Sequence, residues 1–173
     1  INKSTDFDLR TYLERDGYLF LRNLIQTSEI ETARNDVFKR LNEVDELKEP
    51  YKNGISSGIS KRDIIYDNRG QFWESVSSIK SLRQITTGEI LQNIFSRIFG
   101  SPSIGMDFIF LRPVAGGKFT HMHCDAGFFT RATKKILTCW LVFTDITFDK
   151  GPLYIIKGSH RFDDIRKRFV DFD

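Results

Sequence analysis

The sequence is poor in cysteine, with only Cys124 and Cys139. A small secreted fold held by disulfides needs more, at framework spacings, so two reduced thiols in an intracellular, cytoplasmic protein are expected. It has no excess of one charge: 26 basic residues face 23 acidic ones, spread along the whole chain. Nucleic-acid binding needs Lys and Arg gathered on one face, so no such partner is expected. No apolar run approaches a membrane span, and Ile1 to Arg10 lacks the apolar stretch of a secretory leader. A soluble protein without a membrane partner is the expectation. Repeats and low-complexity tracts are missing too. The 173 residues read as one domain, 1–173, long enough to bury a core. What is plentiful is phenylalanine, at 16 residues, so the core is expected to use large flat side chains.

Asp6 to Glu14 is short and polar and is expected to be helical, ahead of an Asp16-Gly17 turn. Tyr18 to Leu21 reads as a buried strand. Thr27 or Ser28 can cap the next helix, with Glu29 and Glu31 in its first turn. Ile30, Ala33, Val37 and Leu41 keep the 3.6-residue period, which predicts a helix to about Val44. From Asp45 to Arg69 the period is lost among Pro50, Gly54, Gly58 and several serines, and a long irregular stretch of this kind can serve as a lid. Gln71 to Leu82 and Thr87 to Ile98 are predicted helices, the second closing at Gly100. After Ser103 the character changes. Gly105–Leu111, Lys118–Asp125, Ile136–Ile146 and Leu153–Lys157 are predicted strands. Helices followed by consecutive short strands argue for an α+β fold, an antiparallel sheet or barrel covered by N-terminal helices.

The three histidines all lie between positions 121 and 160. Alternate side chains of a strand share a face, so His123 and Asp125 are expected to project together. One imidazole nitrogen and one carboxylate oxygen suit Fe(II). With a second histidine they form a 2-His-1-carboxylate triad that leaves coordination positions open. A lone His-x-Asp is common on surface strands. This one follows the Gly116-Gly117 turn, ends a strand, and precedes Phe128-Phe129 and a long apolar run. His121 falls on the same face and reads as a rim residue. His160, in Gly158-Ser159-His160, reads as a corner residue satisfied by backbone hydrogen bonds.

Lys135 to Ile146 with Trp140 and Asp145 inside it, then Gly151-Pro152-Leu153 and Gly158-Ser159-His160, resemble the phytanoyl-CoA dioxygenase family in type and order. Asp16 to Leu24 is similar to that family's opening segment, so the likeness spans nearly the whole chain. Lys157 stands where the family usually has Pro. The resemblance implies a double-stranded β-helix (jelly-roll, cupin-like) core that is incomplete at its C-terminal side. It implies Fe(II) held by His123 and Asp125, with 2-oxoglutarate as cosubstrate and Trp140 lying against it. It also implies dioxygen and a small organic substrate that becomes hydroxylated. A carboxylate at position 125 implies hydroxylation rather than halogenation, because halogenating relatives have a small residue there. The family's third ligand, a later His, and its 2-oxoglutarate-binding Arg have no counterpart after His160, and are expected beyond Asp173. Other readings stay open: a degenerate β-helix acting as a binding module, a cupin-like metal site using His121, His123 and His160, or a structural β-domain with a chance His-x-Asp.

Overall fold

Where the apolar residues repeat every third or fourth position, the chain is helical. The computed structural model describes residues 6–111, 120–125, 129, 133, 135–164 and 167. Its helices include α1 (Asp6–Asp16), α2 (Thr27–Asn42), α3 (Arg62–Ile65), α4 (Arg69–Ser77), α5 (Lys80–Thr86) and α6 (Glu89–Phe99). Two units divide the chain, one drawn from residues 23–115 and the other from 1–22 with 116–173. None of the described helices is long and apolar enough to cross a membrane.

In the unit of residues 23–115, α2 buries Ala33, Val37 and Leu41 on one stripe and packs against α5. Its cap sits one residue earlier than Thr27. The Glu29 carboxylate accepts from the Gln26 N–H at 3.3 Å, and the Glu29 N–H donates to the Gln26 carbonyl at 3.1 Å. Phe72, Val76, Leu82 and Val44 are the largest fully buried side chains. They join α4 and α5 to the turn after α2. The predicted helix 71–82 is broken in two. Ser78 donates both its N–H and its hydroxyl to the Glu74 carbonyl, at 2.9 and 2.7 Å, and the Arg83 guanidinium takes the Ser77 carbonyl at 2.6 Å. A serine that bonds its own preceding turn competes with the helix ladder, and here the chain turns away at extended Ile79. α6 ends as predicted, at Gly100 in the left-handed region.

Residues 45–69 are mostly irregular, as expected, but they are fastened down. Leu47 and Ser56 form an isolated antiparallel bridge, and the Lys48 N–H reaches the Ile55 carbonyl at 2.8 Å. Arg62 pairs with Glu46 while its guanidinium lies over the Phe72 and Trp73 rings, 4.5 and 4.2 Å from their centroids. Arg40 on α2 reaches both Tyr66 and Ser75 at 2.8 Å, tying the segment's end to α4.

The expected strands do not form among the described residues; Lys118 and Phe119, the start of the one expected at Lys118–Asp125, lie outside them. Among the described residues there is no strand, and what regular structure there is consists of helices and 3-10 turns. The α+β reading, with a double-stranded β-helix (jelly-roll) core, is therefore corrected to a mostly helical one; Tyr18–Leu21 is no strand either. The physical reason is partnership. A helix closes its hydrogen bonds within its own segment, whereas a ladder needs a second strand. Strand propensity measures fit to a half-buried pleated surface. Ile104, Phe108, Phe110 and Trp140 keep 93%, 62%, 59% and 50% of their surface exposed, so no second layer covers these runs.

In the other unit, α1 shows how a short polar helix is closed. A helix leaves its last four carbonyls without intrahelical donors. In α1 all of them find one: Leu13 from the Gly17 N–H at 2.8 Å, Glu14 from His160 Nε2 at 2.9 Å, Arg15 from Arg161 Nη2 at 2.7 Å, and Asp16 from the Gly158 N–H at 2.8 Å. Gly17 has φ +82°, and a Cβ there would lie 2.3 Å from His160 Nδ1, so only glycine fits. The Asp16 carboxylate sits at the negative end of the helix, offset by Arg15 at 2.6 Å and Lys157 at 3.1 Å.

Replacing buried Phe72 by Ala is expected to cost about 3–5 kcal/mol, read as a lower urea midpoint. The Arg15 hydrogen bond first, and then Lys157, hold the Asp16 carboxyl below the usual carboxylate range. The folded chain then takes up that proton less readily than the unfolded one. The stabilising contribution is complete above about pH 4 and is lost progressively below it. Urea midpoints measured against pH should show this acid loss in the wild type and a shallower one in Asp16→Asn.

Candidate functional site

His123 and Asp125 come together without a strand. Neither residue lies in regular structure, and Asp125 sits in a turn. Asp125 Oδ1 lies 3.1 Å from His123 Nε2, with the two side chains 40% and 44% exposed. The other ring nitrogen, Nδ1, lies 2.7 Å from the His121 carbonyl oxygen. A carbonyl oxygen only accepts, so Nδ1 is the donor of that bond. The imidazole is thus gripped on one edge by main chain and faces a carboxylate with the other.

This donor pair fits a divalent cation. A metal ion holding a nitrogen and an oxygen at about 2.1 Å each, at right angles, keeps them roughly 3.0 Å apart. The observed separation is 3.1 Å. A borderline nitrogen beside a hard anionic oxygen is a donor set that suits ferrous iron. Both groups are open enough for an ion to arrive from solvent. Among the described residues, no group of three or more His, Cys, Asp or Glu side chains is placed to hold one ion.

The remaining candidates are placed elsewhere. His160 Nε2 is taken by the Glu14 carbonyl at 2.9 Å, the backbone partner that the corner reading anticipates. That engagement leaves the three-histidine, cupin-like arrangement unformed among the described residues. Trp140 is half-exposed on irregular backbone, and it is not one of the polar partners of His123 or Asp125. The sequence holds no histidine after His160. Sequence reasoning missed what His121 contributes, which is its main-chain oxygen. No residue-type signal marks that role, since every residue carries a carbonyl; the two-residue spacing to His123 is the one trace.

Residues 13–173 match the family described as Phytanoyl-CoA dioxygenase (PhyH). A curated relative, the phytanoyl-CoA dioxygenase domain-containing protein 1 homolog of Caenorhabditis elegans, is 26% identical over 190 residues, covering 90% of this chain. The chain spans 65% of that relative's length. No solved structure matches the chain.

His160→Ala removes the donor to Glu14 and is expected to cost about 1 kcal/mol of stability by urea denaturation. Cobalt(II) affinity, measured on the same variant, should stay at the wild-type value. Lost affinity with unchanged stability would return His160 to the list of ligands.

Proposed function

This chain belongs to the phytanoyl-CoA dioxygenase family, and we propose from that premise that it works as an Fe(II)- and 2-oxoglutarate-dependent oxygenase that hydroxylates a small organic substrate. His123 and Asp125 are two of the iron ligands in this reading. Its main support is the 3.1 Å approach of His123 Nε2 to Asp125 Oδ1 on a partly open surface. Ferrous iron supplies, when bound, the redox chemistry with dioxygen that converts 2-oxoglutarate to succinate and carbon dioxide while a substrate C–H becomes C–OH.

The chain's own residues supply position and charge. His123 offers a neutral nitrogen whose ring plane is held by the His121 carbonyl at 2.7 Å. Asp125 offers an anionic oxygen that offsets part of the ion's charge. On a bound ion it would also fill the position that a halide would need, which would favour hydroxylation over halogenation. Trp140 is proposed to lay its indole face against 2-oxoglutarate and exclude water there. Dioxygen and the small-molecule substrate are the partners, and an intracellular setting with reduced Cys124 and Cys139 goes with this reading. Since the chain spans 65% of its curated relative, these statements concern the whole protein's activity as a proposal.

The test uses the full-length protein. Removing only an outer partner of a metal ligand already costs 10–100-fold, so Asp125→Ala should lower both Fe(II) affinity and 2-oxoglutarate-dependent succinate formation by at least about 100-fold. A wild-type protein that forms no succinate, or an Asp125→Ala variant that forms as much, would leave the binding-module reading in its place.

A further inference from the structure

We propose that the main-chain carbonyl of His121 is the positioning group that determines which nitrogen of His123 meets a cation, an inference that rests on the metal reading above. A neutral imidazole has one ring hydrogen for two nitrogens. Both nitrogens of His123 face oxygen acceptors: Nδ1 lies 2.7 Å from the His121 carbonyl and Nε2 lies 3.1 Å from the Asp125 carboxylate. Two acceptors compete for a single hydrogen. In a neutral ring the hydrogen sits on Nδ1, toward the nearer acceptor, and the Nε2 lone pair then faces the Asp125 oxygen. A cation taken up by His123 would then meet Nε2, while Nδ1–H stays on the His121 carbonyl.

The His121 carbonyl is well suited to the role. It belongs to the same short stretch of chain as the ring, two residues away, so ring orientation needs no remote side chain. A metal-bound histidine commonly has its second nitrogen anchored in this way, which fixes the tautomer and raises the donor strength of the first. Residues His121, His123 and Asp125 then act as one locally encoded clamp: acceptor, ring, carboxylate.

Full-length protein labelled with nitrogen-15 in histidine, loaded with zinc(II) alone, reports the protonation of each ring nitrogen by long-range nitrogen–proton correlation. The His123 signals are assigned by their loss in His123→Gln. The expected result is a protonated Nδ1 and a zinc-bound Nε2. Zinc on Nδ1, or a hydrogen retained on Nε2 in the zinc form, would overturn the positioning role and leave the metal reading standing. If zinc moves no signal of His123, the metal reading falls and takes this inference with it. A semisynthetic protein with an ester in place of the peptide bond between His121 and Met122 weakens the carbonyl as an acceptor. Its zinc affinity, by chelator competition, should drop about 10-fold. An unchanged affinity would overturn the proposal.

Discussion

Every carbonyl at the end of α1 has to find a donor, and the unit built from the chain's beginning and its later part depends on how that requirement is met. Three of the four donors come from one corner, Gly158 to Arg161, and the ring and guanidinium involved are 146 residues from their partners. Such a separation is no bar, because each doubling of loop length adds only about 0.6 kcal/mol to closure. The contact is exacting in another way. It needs positive φ at Gly17 and no Cβ there, since the imidazole of His160 fills that space. It also needs cations near a negative helix end that already carries Asp16, and Arg15, Lys157 and Arg161 meet that need.

The same accounting explains what could be read from residues alone. Helical bonds close within a segment, so the apolar period of Ile30 to Leu41 announces α2, and Gly100 announces the end of α6. The break after Ser77 was not legible, because it is made jointly by Ser78 on its own turn and by Arg83 reaching back. Strands were misread for the opposite reason: their bonds are borrowed from elsewhere in the chain. Alternating apolar residues such as Ile104, Met106, Phe108 and Phe110 satisfy the pattern of a strand yet stay largely exposed and form no strand. The Asp16-Gly17 turn and the Gly158-Ser159-His160 corner were each visible. That they meet was not, since nothing in either segment refers to the other.

The candidate site was legible in composition and not in geometry. The two-residue spacing of His123 and Asp125 pointed to a shared cation by way of strand alternation. The two groups meet instead on backbone outside any strand, with Asp125 Oδ1 3.1 Å from His123 Nε2. Such a local contact is inexpensive in conformational terms: it orders only the stretch between its own two residues.

The three histidines illustrate how the same side chain is committed to different work by what its nitrogens face. A ligand must present a lone pair to the ion, whereas a helix cap must present a hydrogen to a carbonyl. His160 spends Nε2 as a donor on Glu14, at the end of a helix that favours positive charge, so that nitrogen is not free to bind metal. His123 spends Nδ1 on His121 and turns Nε2 toward Asp125, an arrangement compatible with the ligand role proposed for it. His121 enters that arrangement through its backbone. A sequence pattern that counts imidazoles alone would treat the three as equivalent. The division among them follows from which oxygen each nitrogen meets: a helix-end carbonyl for His160, and a carboxylate beside a main-chain carbonyl for His123.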